Sequence, residues 1–214
     1  MKLTNLYKQT IQGRDLYSYA QSPFLYWCTR FAPESEKDQL SGYDKLIMAK
    51  GQQFEENNVK EKYPGIKPIF VETTEDVINE LKSGPAVLWN IPIFDVGKKL
   101  LGKTDLLVRD DSKPSNFGKF HYVVKELKNA KKLRKPKYIM QAAFYNYILG
   151  ELQGYTPKYF YIVGREGEER IEYQECKARL FESLEHIKQI IKERNMFNQC
   201  KNRRRRKCKM QNTR

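Results

Sequence analysis

Residues 86–163 constrain the fold most strongly. Three short segments rich in aliphatic and aromatic residues follow one another there: Ala86–Phe94 (AVLWNIPIF), Leu101–Arg109 and His121–Leu127. The cluster DDSKPSNFG, from Asp110 to Gly118, separates the last two and is dense in turn-forming residues. This pattern predicts strands joined as an antiparallel meander. The stretch Lys137–Leu152 (KYIMQAAFYNYILGEL) then has the apolar spacing of a well-buried helix. Lys158–Val163 returns as an aromatic-rich strand, with Arg170–Tyr173 as a short partner. Strands that give way to a helix and then resume predict an α/β fold: a central mixed sheet with an antiparallel hairpin, flanked by helices.

The flanking helices carry their own punctuation. In LYSYAQSPFLYWCTR, from Leu16 to Arg30, Ser22 is a cap and Pro23 a first helical residue, so a short helix is followed by a second. Tyr43–Lys62 is built of helix formers and stops at Tyr63-Pro64-Gly65. Thr73 or Thr74 caps a short helix that Gly84-Pro85 closes. A final amphipathic helix is expected from about Glu175 to Arg194. No linker divides these elements, so residues 1–195 read as one domain and 196–214 as a basic tail.

That tail, KNRRRRKCKMQNTR, holds eight basic residues and no acidic one, more than half of the formal charge of +14. Such a run attracts phosphate backbones without reading sequence; it also suits a solvated chain end or an anionic protein surface. Arg203, Arg204, Arg205, Arg206 and Lys207 are the candidate nucleic-acid contacts. The longest apolar stretch is the nine residues of AVLWNIPIF, where a membrane helix needs about twenty. The first residues turn polar before a signal peptide could form, so no membrane association and a cytoplasmic location are expected. In that compartment Cys28, Cys176, Cys200 and Cys208 would stay reduced, as packed thiols or as metal or cluster ligands.

The acidic residues inside the strands are the unusual feature. Asp105 interrupts an otherwise aliphatic strand in LGKTDLLVR, and Glu126 and Lys128 lie two apart at the end of the next, in VVKELK. Residues two apart on a strand share a face, and a hairpin would bring Asp105 alongside. Two carboxylates with an ammonium suit a hard divalent ion and phosphate chemistry, with Lys128 orienting water or stabilising developing charge. Solvated salt bridges at strand ends are the plainer reading of the same residues.

Taken with their neighbours, these residues resemble the PD-(D/E)XK restriction-like nuclease superfamily, and within it the RecB and Cas4-like branch. Five ordered segments carry the resemblance: YSYAQSPFLYWCTR, GQQFE with Gly51 and Phe54, GKTDLLVR, VVKELK, and QAAFY with Gln141 and Tyr145. The resemblance implies a restriction-endonuclease-like fold and a Mg²⁺- or Mn²⁺-dependent deoxyribonuclease. Asp105, Glu126 and the Leu127 carbonyl would be metal ligands. Glu55 would be a further metal ligand, in the place where many relatives have a metal-binding His, with Glu56 the alternative register. Gln141 and Tyr145 would position Lys128 or the DNA backbone.

Relatives often hold a four-iron cluster with one early cysteine and three late ones. Cys28, Cys200 and Cys208 match three places, but Arg203 stands where the fourth is expected, so the ligand set for an iron-sulfur cluster is incomplete. The implied substrate is DNA, single-stranded or with free ends, processed as an exonuclease alongside a recombination or CRISPR-type protein partner. The alternatives are a structure-specific or sequence-specific endonuclease and a non-catalytic nucleic-acid-binding subunit.

Overall fold

The computed structural model describes residues 1–7 and 10–211, with side chains described as far as Glu193. The chain opens with α1 (Leu3–Tyr7), β1 (Ile11–Gln12), α2 (Gly13–Tyr19) and α3 (Pro23–Phe31). Ser22 caps α3 as its sequence predicts, accepting from the Phe24 and Leu25 amides, with Pro23 at the first position. The helices α4 (Gly42–Lys62) and α5 (Thr74–Ser83) follow. Each starts in a reciprocal capping box, Ser41 with Asp44 and Thr73 with Asp76. Thr73 rather than Thr74 is therefore the cap of α5, and Gly84 ends that helix in the left-handed conformation (φ 73°).

The expected meander is a longer device. Ala86–Phe94 is two strands, β2 (Val87–Trp89) and β3 (Pro92–Asp95), and Leu101–Arg109 is likewise β4 (Leu100–Lys103) and β5 (Leu106–Asp110). Asn90 causes the break: it takes φ 62°, outside the strand region. Pairing continues through the bend, since the Asn90 amide donates to the Asp105 carbonyl at 2.9 Å and the Thr104 amide to the Ile91 carbonyl at 3.1 Å. One hairpin is thereby folded across two sheets, with Asp105 at the crease.

The larger sheet adds β6 (His121–Leu127), β7 (Tyr159–Gly164) and β8 (Gly167–Glu172) in the order β2-β5-β6-β7-β8. β6 and β7 are parallel and the other pairs antiparallel. The smaller sheet has the order β1-β4-β3, with β1 parallel to β4. The architecture is α/β, with mixed sheets flanked by helices.

The crossover between the parallel strands is α6 (Pro136–Gln153), which packs against β3, β4, β6 and β7 as well as α2 and the last helix. Being enclosed on all sides, it is apolar around most of its circumference. Two of its buried polar side chains bond to neighbouring backbone: Gln153 accepts from the Tyr122 amide at 2.9 Å, and Asn146 donates to the Pro157 carbonyl at 3.0 Å. On the other face of the sheet, Val59 of α4 is buried against Trp89, Leu106, Leu127 and Val163, with Phe54 beside them. That cluster fixes the rotation of α4 about its axis.

The last helix, α7, runs Tyr173–Gln211, well past the expected end at Arg194 and through the expected boundary at 195 and 196. No Gly or Pro occurs within it to stop the backbone. Among the described residues no helix is long and apolar enough to cross a membrane.

Candidate active site

The antiparallel register pairs Leu106 with Lys125 and Leu107 with Val124. Continued by one residue, it sets Asp105 opposite Glu126 on the same face. Asp105 is aimed by a hydrogen bond of 2.7 Å from the Leu127 amide to its Oδ2. Glu126 is almost completely buried (1% exposed) and accepts from the Lys128 ammonium at 2.7 Å through Oε1. The hairpin and the step of two along β6 thus bring Asp105, Glu126 and Lys128 together, as their spacing in the sequence predicts.

Glu55 reaches the same neighbourhood from α4. Its Oε1 accepts from the Trp89 indole N–H at 3.1 Å, and its charge acts on both Asp105 and Glu126. Glu56 points elsewhere, pairing with Lys60 at 3.5 Å and accepting from Gln52 at the surface. The packing of Phe54 and Val59 decides between the two registers in favour of Glu55.

The electrostatics are those of crowded carboxylates. Loss of hydration, then the nearby Glu126, hold Asp105 well above the usual carboxylate range against the opposing pull of Lys128. Burial likewise raises Glu126, with Lys128 opposing. Lys128 loses hydration too, but the charges of Glu126 and Asp105 outweigh that loss and raise its pKa, so it remains an ammonium. A permanent cation can donate to a phosphate oxygen but cannot take a proton from water.

Whether a hard divalent ion fits is answered by the oxygens left over. Glu126 Oε2 is buried with no hydrogen-bond partner among the described residues. Fully ionised, Asp105, Glu126 and Glu55 set three negative charges against the one positive charge of Lys128. An uncompensated buried carboxylate oxygen beside a second carboxylate is the donor set such an ion takes, and Mg²⁺ commonly uses only one or two carboxylates with water and substrate oxygens completing its shell. Glu55, the third expected ligand, is held by the Trp89 indole N–H, and among the described residues no group of three or more His, Cys, Asp and Glu side chains is placed to hold an ion.

Gln141 and Tyr145 do share one face of α6, with Gln141 Nε2 donating to the Tyr145 hydroxyl at 3.0 Å. The Gln141 carbonyl oxygen is buried and unpartnered among the described residues. Burial first, then the charges of Glu126 and Asp105, raise the Tyr145 hydroxyl well above its ordinary range, so it stays a neutral donor. The ring is wedged between two glycines. A Cβ on Gly13 would stand 2.2 Å from the Tyr145 oxygen, and one on Gly102 would stand 2.6 Å from its Cδ1. These glycines belong to the site and were not expected to; the small residues in IQGRD and LGKTD were its only signal.

Other expectations fare differently. Arg30, the basic residue of the opening segment, is structural: it pairs with buried Asp15 at 2.5 Å and donates to the Thr10 carbonyl at 2.9 Å. Cys28 is a half-buried free thiol on α3. Burial pushes the Cys176 thiol up to about 11, which marks an inert packed residue. The side chains of Cys200, Cys208, Arg203, Arg204, Arg205, Arg206 and Lys207 lie outside the described residues. Comparison with known proteins gives no matching family model and no matching curated protein.

Proposed function

We propose that the chain is a divalent-metal-dependent deoxyribonuclease of restriction-endonuclease-like fold, related to the RecB and Cas4-like branch. The observation that carries this reading is the bare Glu126 Oε2 beside Asp105, with the Lys128 ammonium 2.7 Å from the other oxygen of the same carboxylate. Asp105 and Glu126 would hold Mg²⁺ or Mn²⁺, with the Leu127 carbonyl as a further oxygen and Glu55 reinforcing the negative field. When bound, such an ion polarises a phosphate and acidifies a water molecule. Lys128 then stabilises charge on a phosphate oxygen, and Gln141 with Tyr145 holds the strand or the lysine in position.

Processing of single strands or free ends is the preferred activity, with the basic residues near the C-terminus as sequence-independent phosphate contacts. A recombination or spacer-acquiring protein would be the fitting partner. Mn²⁺-dependent degradation of end-labelled single-stranded DNA, lost in Asp105→Ala, tests the reading. Activity that survives this substitution overturns it, and cutting of covalently closed circles assigns an endonuclease instead.

A further inference from the structure

Residues 128–135 join β6 to α6, and the charge at the start of α6 runs against the local rule. A helix N-terminus carries partial positive charge and favours acidic residues nearby. α2, α4 and α5 obey, with Asp15, Asp44, and Glu75 plus Asp76 in their first turns, whereas α3 has no acidic residue there. α6 has no acidic residue in its first turn and opens on Lys135-Pro136-Lys137.

Of the neighbouring cations, exposed Lys132 also lacks an acidic partner among the described residues, but three others are neutralised. Lys125 pairs with Glu168, Lys131 with Glu166, and Arg134 with Glu169 and Glu175. Among the described residues Lys135 and Lys137 have no acidic partner; Lys137 reaches only the Gln21 side-chain oxygen at 3.2 Å. Both are instead arrayed around Tyr138. The ammonium groups of Lys128, Lys135 and Lys137 lie 5.8, 5.7 and 5.6 Å from the centroid of that one ring. Tyr17 closes the group from α2, its ring 6.1 Å from Tyr138 and below the Lys137 ammonium at 4.9 Å.

From this we infer that Lys135, Lys137 and the start of α6 form a phosphate subsite, taking the phosphodiester next to the one positioned at Lys128. The inference rests on the nuclease reading for that second phosphate and deepens it: the substrate is a nucleic-acid strand engaged through at least two consecutive phosphates. The Tyr17 and Tyr138 faces hold the ammonium groups ready by cation–π attraction. An anion there offsets both the excess of lysine charge and the wrong-signed helix end. Sequences break local charge rules where a ligand supplies the compensation.

The test is binding of a fluorescent single-stranded oligodeoxynucleotide in EDTA, followed across salt concentrations, for the full chain and for the double variant Lys135→Gln, Lys137→Gln. Affinity should fall about tenfold and the log–log salt slope should flatten by about 0.7, the share of one single-strand phosphate contact. The melting temperature should hold or rise, since the variant removes repulsion at the helix start. Lys131→Gln, which removes a charge from the same connecting segment that Glu166 already neutralises, should bind as the parent does. Unchanged affinity in the double variant, or an equal loss in Lys131→Gln, overturns the subsite. Cleavage of the same strand with Mn²⁺ is scored separately: a parent protein that binds but never cuts overturns the nuclease reading and leaves the anion subsite standing on the binding data.

Discussion

The Leu127 amide donates to Asp105 Oδ2 at 2.7 Å, so the strand that carries Glu126 also aims the carboxylate facing it. The two acids are thereby fixed as a pair before any ligand arrives, in surroundings that disfavour two charges. Such a site is built for what it holds rather than for the stability of the empty protein.

Asp105→Asn should therefore separate function from stability. The amide keeps an acceptor for the Leu127 N–H and removes one of the repelling charges. Metal-free protein near neutral pH should gain on the order of 1 kcal/mol, the equivalent of about one pKa unit relieved, while nuclease activity disappears. Denaturant unfolding beside a single-strand degradation assay checks both. A clear loss of stability would mean that Asp105 is structural.

The acid pair also sets a pH dependence. Asp105 and Glu126 both hold protons more tightly folded than unfolded, so the folded chain binds the excess protons between the unfolded values, about 4, and the raised folded ones. The stability present below that window is lost as pH rises through it. Divalent ions require the ionised form, so their stabilisation grows in the same direction. Melting temperatures with EDTA and with Mn²⁺ should differ more at about pH 8 than at about pH 5. An equal difference at both would remove Asp105 and Glu126 from metal binding.

The glycine cradle predicts a packing defect with a catalytic signature. Gly102→Ala places a methyl group 2.6 Å from the buried Tyr145 ring, which Gly13 meets as well. Overpacking of this kind costs about 1–3 kcal/mol. The ring must shift, breaking its bond to Gln141, so kcat should fall more than KM rises. Thermal unfolding and steady-state kinetics measure the two effects; an unchanged melting temperature would mean that the ring has room to move.

Much of this was legible because local chemistry decided it. Ser22, Thr73 and Gly84 mark helix ends through hydrogen bonds within a few residues, and the step of two between Glu126 and Lys128 follows from strand geometry alone. The crease at Asn90 was not legible, because asparagine tolerates a positive φ without announcing it and the tertiary fold selects that conformation. The reach of α7 to Gln211 was missed for the opposite reason: nothing in the sequence stops it, and the charge run suggested an end. The cradle of Gly13 and Gly102 joins residues from α2, β4 and α6, a contact that no periodicity within one segment encodes.

The choice between Glu55 and Glu56 gives the sharpest contrast, since the two are adjacent and only one faces the acid pair. Glu55→Gln keeps an oxygen to accept from the Trp89 indole N–H, so α4 should hold its place and the melting temperature should change little. What disappears is the negative charge behind Asp105 and Glu126. Groups that tune a metal site from behind its direct ligands are worth about 10–100-fold in metal affinity or activity. The Mn²⁺ concentration for half-maximal cleavage should rise by about that factor. Glu56→Gln removes only an exposed pairing with Lys60, worth less than about 1 kcal/mol, and should leave the titration where it was. Metal titrations of both variants decide the matter: a shift in Glu56→Gln, or none in Glu55→Gln, would mean that α4 meets the sheet in a different rotation and that the Trp89 contact does not mark the site.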